Sequence, residues 1–260
     1  MSGADVQPKL ASPNTGVVIT GGASGLGFAS ARALAAVGRA VALWDINAAR
    51  AESAAEQIGT EYGVVALGLG VDVRDPAAII QAASATRAAL PSIGGIVHCA
   101  GIVDTASLEG ITIESWDDGI NIHLRPIVLL LQAFLDDLKR HPGSAVVATA
   151  SINATLGNAV NPIYTAAKGG VLSLVRSLAD RLAKDGIRIN SISPGQIMTP
   201  MMKPSVDALP ERYFEKRILM ERIGEPEEIG RVVRFLLSDE ASYMTAAEIV
   251  VDGGNISSQR

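Results

Sequence analysis

The stretch Val17-Val18-Ile19-Thr20-Gly21-Gly22-Ala23-Ser24-Gly25-Leu26-Gly27 decides how the rest of the chain is read. Its β-branched start predicts a short strand. The strand stops at a cluster of glycines, and residues 29–37 beyond it are Ala-rich and helix-forming. Glycine at such a junction permits a tight turn and a close backbone approach to a ligand. The free N–H groups and positive dipole end of the following helix suit a pyrophosphate. Glycine pairs occur in many turns, so the weight rests on the strand–turn–helix context.

Working outward, the pattern repeats. Residues 40–44 predict a second strand closed by Asp45, and 48–58 a helix. Residues 64–69 predict a third strand, followed by Asp72 and a helix opening near Pro76, a position where proline is tolerated. Ile96-Val97 begins a fourth strand, 145–148 form a fifth and 187–192 a sixth. Strands alternating with helices predict parallel βαβ units, right-handed crossovers and a doubly wound sheet. Ligands on such sheets bind beyond the carboxyl ends of the strands. One domain over 15–260 is expected, after a loose tail over 1–14. The Met- and Pro-rich stretch 199–222 is read either as a mobile lid over a substrate or as an exposed helical excursion.

Asp45 stands where a ribose-binding acid is expected. Its carboxylate would accept from both ribose hydroxyls and repel a 2′-phosphate. No Lys or Arg lies in the glycine loop or just after Asp45 to offset that repulsion, so NAD is expected over NADP. The competing reading is a plain cap for the helix near Ala48. Asp72 has the same two readings: a turn or helix cap, or a contact to the adenine edge together with the backbone of Val73.

Ser151 follows the fifth strand, and Tyr164 and Lys168 lie four residues apart. On a helix such a pair shares a face. A phenol with a pKa of about 10 is a poor base at neutral pH. A nearby ammonium favours the phenolate and moves Tyr164 toward acid–base work. Ser151 would hold a substrate oxygen beside it. Alone, Tyr-x-x-x-Lys is common on solvated helix faces; here it follows a nucleotide loop on the same expected sheet.

With these residues in place, the chain resembles the short-chain dehydrogenase/reductase family over nearly its whole length, from about Gly16 to Gly254. The resemblance rests on Thr20-Gly21-x-x-x-Gly25-x-Gly27, on Ala100-Gly101 and on Asn121 within Gly119-Ile120-Asn121-Ile122. It also rests on Ser151, Tyr164 and Lys168, on Pro194-Gly195-x-x-x-Thr199 and on Val251-Asp252-Gly253-Gly254. It implies a single-domain Rossmann-type sheet of about seven strands. It implies a tetrad of Asn121, Ser151, Tyr164 and Lys168, with NAD contacts from Gly21, Ser24, Gly25, Leu26, Gly27, Ala100, Gly101, Pro194, Gly195, Ile197 and Thr199. Tyr164 and Lys168 would also face the cofactor, Lys168 through the nicotinamide ribose. Asn121 would kink its helix and hold a water linking Lys168 to solvent. The implied reaction moves a hydride between the cofactor and a secondary alcohol or ketone. A homotetramer is implied, and residues 127–131 offer an apolar surface for it.

Two positions depart from the family pattern. Its Asn-Asn-Ala-Gly reads His98-Cys99-Ala100-Gly101, which puts the local hydrogen bonding in question, and its Thr-Gly near the C-terminus reads Thr245-Ala246. Cys99 reads as a small buried hydrophobe and Trp44 and Trp116 as packing residues. Other classes fall away. Hydrophobic residues at 48% against 19% charged exclude a disordered chain. A net charge of -5 gives no footprint for nucleic acid. No apolar run approaches the ~20 residues of a membrane span, no signal-peptide core is present, and the single cysteine cannot pair within the chain; a cytoplasmic protein is expected. His98, His123 and His141 lack metal-ligand spacing, so no metal is expected. The rival from another class is a non-catalytic NAD-binding sensor or assembly protein, which has no need of a Tyr164–Lys168 pair. An epimerase or dehydratase on the same fold usually has a larger substrate domain.

Overall fold

The computed structural model describes residues 7–259. Seven parallel strands form one sheet in the order β3-β2-β1-β4-β5-β6-β7. They are β1 Gly16–Thr20, β2 Val41–Asp45, β3 Ala66–Gly70, β4 Ile93–His98, β5 Ala145–Thr149, β6 Arg188–Pro194 and β7 Glu248–Val251. The helices are α1 Gly25–Ala35, α2 Ala48–Tyr62, α3 Pro76–Ala89, α4 Ile113–His123, α5 Arg125–Arg140, α6 Asn153–Leu156, α7 Pro162–Ala183, α8 Lys203–Ala208 and α9 Pro226–Leu236. The chain is thus the expected Rossmann-type α/β fold.

Helices cover both faces, so the inner strands are apolar throughout rather than alternating. Val18, Ala42, Trp44, Val146 and Ile189 point to one face, where Ile79 of α3, Phe134 of α5 and Val175 of α7 meet them. Val17, Ile19, Leu43, Val97 and Val147 point to the other, against Leu34 of α1, Ile58 of α2 and Val233 of α9. The one-residue alternation of Val17, Val18 and Ile19 is the pleat of a strand buried on both sides. Trp44 is fully buried and donates from Nε1 to Thr86 Oγ1 at 3.1 Å, whereas Trp116 is 43% exposed and so is not the packing residue its type suggested.

Strand order reverses between β1 and β4, which places the loops after Thr20 and His98 side by side at the carboxyl edge. Ligands enter doubly wound sheets at this switch point. Ile127, Leu130 and Leu131 of the expected apolar surface are buried in the core beneath α5, so that stretch is mainly packing within one chain. Of the segment expected to be loose, residues 1–6 lie outside the described residues. Ser12 is tied down: its hydroxyl donates to Asp239 and its carbonyl accepts from the Asp239 N–H.

Ala246, where the family pattern has glycine, adopts φ +58°. A Cβ in the left-handed region costs roughly 1–2 kcal/mol. The strained turn is held by the Ala246 N–H donating to the Ile189 carbonyl at 2.7 Å. Among the described residues, no helix is long and apolar enough to cross a membrane.

Candidate active site

A cavity of about 920 Å³ runs along the carboxyl edge of the sheet. One end is lined by Gly21, Ser24, Gly25, Leu26, Gly27 and Asp45, the other by Ser151, Tyr164, Lys168, Met201 and Met202. That volume lies at the upper end for small-molecule sites.

The glycine loop is needed as glycine. Gly21 and Gly25 have φ +64° and +51°. A Cβ on Gly27 would lie 2.1 Å from the Gly21 carbonyl oxygen, so any larger residue would push α1 away from β1. Ser24 is the N-cap of α1 and its side chain makes no cap hydrogen bond. Asp45 Oδ2 accepts from the Ala23 N–H at 3.2 Å, and Oδ1 from Asn47 at 3.1 Å, which fixes the carboxylate beside the loop. The cap of α2 is Asn47, whose side chain accepts from Arg50, not Asp45. A glycine cradle ending in a fixed carboxylate fits a dinucleotide.

Asp72 is placed differently. The cap of α3 is Asp75. Arg74 clamps the Asp72 carboxylate through Nε and Nη2, at 3.0 and 2.8 Å, and reaches Asp118 through Nη1. This pair holds the Asp72 carboxyl below its ordinary range. Asp72, Val73, Ala100 and Asn121 do not line the cavity, whereas Gly101, Pro194, Gly195, Ile197 and Thr199 do. Thr199 lies over the glycine loop: a Cβ on Gly25 would meet its Cγ2 at 3.5 Å.

Ser151, Tyr164 and Lys168 come together as the spacing predicts. Ser151 is buried just past β5 and its Oγ accepts from the Asn153 N–H at 3.1 Å. Lys168 Nζ lies over the Tyr164 ring, 5.5 Å from its centroid, and donates to the Thr149 carbonyl at 2.6 Å. Burial pulls the Lys168 ammonium down to about 8. Burial also pushes the Tyr164 phenol above its ordinary value, and its hydrogen bond with Ser151 draws it back. The lowering expected for this phenol is not seen: desolvation of the phenolate moves it upward instead.

His98 ties the end of β4 to β1 and to the end of α4. Helix α4 stops at His123 and α5 begins at Arg125, directly after Asn121-Ile122. The Ile122 carbonyl would accept from residue 126 in a continuous helix, but Pro126 has no N–H. His98 Nε2 lies 3.0 Å from that carbonyl, so it is the donor. Nδ1 then accepts from Thr20 Oγ1 at 2.8 Å, and Thr20 accepts from the Ala100 N–H at 3.3 Å. Each group in this buried chain has one consistent role. Cys99 shares a hydrogen bond with Thr149 Oγ1 at 3.2 Å, and burial raises its thiol. It packs against the core on one side and lines the cavity on the other.

His123 and Asp104 carry no motif from which a contact with Tyr164 or its helix could be read. His123 sets its ring edge-on to Tyr164, centroids 5.3 Å apart at 89°. Among the described residues, no group of three or more His, Cys, Asp or Glu side chains is placed to hold a metal ion.

Residues 21–255 match a family model described as enoyl-(acyl carrier protein) reductase. The chain is 38% identical over 247 residues to levodione reductase of Leifsonia aquatica, covering 92% of each. It is 34% identical over 237 residues to D-threitol dehydrogenase of Mycolicibacterium smegmatis, covering 91% of each. The crystal structure of a levodione reductase superposes with a TM-score of 0.87 at 36% identity, covering 94% of this chain and 98% of that one. The L-sorbose reductase of Gluconobacter frateurii, complexed with NADPH and L-sorbose, superposes with a TM-score of 0.86 at 27% identity, covering 92% and 95%. With matches across nine-tenths of its length and the same sheet, the chain belongs to the short-chain dehydrogenase/reductase family, as an oxidoreductase with a nucleotide-binding Rossmann fold.

Proposed function

We propose that the chain interconverts a secondary alcohol and a ketone, with NAD as hydride partner and Tyr164 as the acid–base residue. The observation that carries this reading is the convergence of Ser151, Tyr164 and Lys168 on the cavity that begins at the glycine loop. In oxidation, ionised Tyr164 takes the hydroxyl proton as the carbinol carbon loses its hydride, and the alcohol becomes a ketone. NAD, when bound, supplies the hydride acceptor. Ser151 holds the reacting oxygen, and its hydroxyl favours the phenolate. Lys168 keeps a positive charge against the Tyr164 ring and is positioned by the Thr149 carbonyl. Asn121, in the last turn of α4, would orient the water path behind Lys168. Met201, Met202, Leu209 and Phe214 from the 199–222 segment supply an apolar wall for the body of the substrate.

Incubation with NAD and a panel of secondary alcohols (cyclohexanol, menthol and threitol among them), read by reduced-cofactor absorbance, tests the assignment. Turnover of at least one alcohol is expected. Tight NAD binding with no turnover across the panel would favour the sensor reading. The matching family model is described by an enoyl reduction, so crotonyl-coenzyme A with reduced NAD belongs in the same assay. Turnover of that thioester alone would replace the carbinol reading.

The cofactor preference rests on Asp45. Asp45→Ala removes the charge that repels a 2′-phosphate, and like-charge repulsion of this kind is worth about 1.4–3 kcal/mol. The ratio of kcat/KM for NAD over NADP is expected to fall about 10- to 100-fold. The solved L-sorbose reductase carries NADPH, so a wild-type preference for NADP is the outcome that would sink this point.

A further inference from the structure

We infer that Asp104 is a positioning residue for Tyr164: its carboxylate, on the loop after β4, caps the helix that presents the tyrosine. The inference rests on the role proposed for Tyr164, but its geometry stands without that role.

An α-helix begins with N–H groups that have no partner within the helix. In α7 the N-cap is Asn161, whose side chain makes no cap hydrogen bond of its own. Its N–H instead donates to the Asn158 carbonyl at 3.1 Å. Pro162 has no N–H. The first intrahelical bond is Thr165 N–H to the Asn161 carbonyl, at 3.0 Å. Two donors remain, Ile163 and Tyr164, and Asp104 takes both. Its Oδ1 accepts from Tyr164 at 2.9 Å and its Oδ2 from Ile163 at 3.4 Å. The Asn161 side chain closes the arrangement by donating to the Asp104 backbone carbonyl. A carboxylate at this end also complements the positive pole of α7.

The loop is fastened on both sides of the tyrosine. Two residues before Asp104, the Ile102 carbonyl lies 2.8 Å from His123 Nε2, and the His123 ring meets the Tyr164 ring edge-on. Three residues after Asp104, Ser107 Oγ donates to the Ala159 carbonyl at 2.9 Å. Val103 and Thr105, flanking Asp104, line the cavity. One short loop therefore forms a wall of the cavity and fixes both the backbone and the ring of Tyr164. A substrate pressing on that wall is coupled to the tyrosine backbone through the Asp104 carboxylate and to its ring through His123.

Displacing a reacting group by about 1 Å costs on the order of 100-fold in rate. Asp104→Ala is expected to lower kcat about 10- to 100-fold on whichever panel alcohol the wild type turns over best, with KM and NAD affinity little changed. Asp104→Asn keeps an acceptor oxygen for Tyr164 and is expected to recover most of the loss. Hydrogen exchange supplies a readout independent of turnover: the amides of Ile163 and Tyr164 should exchange faster in Asp104→Ala, while α1 and α9 keep wild-type protection. Unchanged exchange at these amides would overturn the inference. So would a wild-type kcat in Asp104→Ala, or a loss of rate that Asp104→Asn does not recover. If Tyr164→Phe itself turns over normally, the role proposed for Tyr164 fails instead, on a different variant from those that test the cap.

Discussion

Tyr164→Phe is expected to lower kcat by about 100- to 10,000-fold, the usual worth of a positioned acid–base group. The substitution removes one oxygen and keeps the ring, so the edge-on contact with His123 and the ammonium of Lys168 over the ring both survive. NAD affinity should stay at the wild-type value, because the glycine loop and Asp45 lie at the other end of the cavity. A transition-state interaction lost alone lowers kcat and kcat/KM equally. Near-normal turnover would refute the assignment. A loss of NAD affinity that accounted for the whole effect would make Tyr164 a binding residue only. The direction of the phenol shift sharpens the expectation. Burial raises its pKa, so the ionised form is scarce at neutral pH and oxidation should accelerate on the alkaline side.

The second large effect is on stability. His98 and His123 are buried, and burial first, then the charge of Lys168, pulls them from 6.5 to about 3 and about 2. Both are neutral in the folded chain at pH 5, whereas their unfolded counterparts are protonated. The unfolded state then binds two more protons, and the free energy of unfolding falls with decreasing pH. The stabilisation is fully present above pH 6.5 and is lost as pH falls from there toward 3 for His98 and toward 2 for His123. Two protons correspond to about 2.7 kcal/mol per pH unit in the steep part of that window. Against a total of roughly 5–15 kcal/mol, one pH unit is decisive. Carboxylates such as Glu228, held down at about 2 by Arg222, add their own loss only as pH passes below 4.5. Urea unfolding at a series of pH values between 7 and 5 measures the slope. His98→Asn should halve it while keeping a donor for the Ile122 carbonyl. A flat profile over that window, or an unchanged slope in the variant, would contradict the neutral buried assignment.

These two cases differ in how far the sequence reaches. Tyr164, Lys168 and Ser151 were legible because their spacing is set by one helix and one strand end. Six of the strands were legible for a similar reason: apolar runs such as residues 145–148 have to be buried on both faces wherever the chain takes them, whereas the half-buried β7 was implied only by the family resemblance. Ends of elements were less so. The sequence reading began α1 at Ala29, yet it starts at Gly25, because glycine lowers helix propensity even where packing against β1 demands it. Asp72 read either as a turn or helix cap or as a contact to adenine; in the structure its Oδ1 accepts from the Arg74 N–H at 2.9 Å, the turn cap, and the Arg74 side chain, which could equally have turned to solvent, clasps the carboxylate.

The sequence by itself determined the doubly wound sheet, the nucleotide loop with Asp45 at its mouth and the pairing of Tyr164 with Lys168. All of these follow from periodicity and short spacings, which local geometry converts directly into position. Tertiary structure alone decided what supports them. It showed that His98 satisfies the carbonyl left open by Pro126, that His123 braces the Tyr164 ring, and that Asp104, 60 residues away, caps the helix presenting that tyrosine. Such contacts depend on which loops the sheet order brings to one edge. A lone histidine or aspartate carries no periodicity from which that neighbourhood can be read.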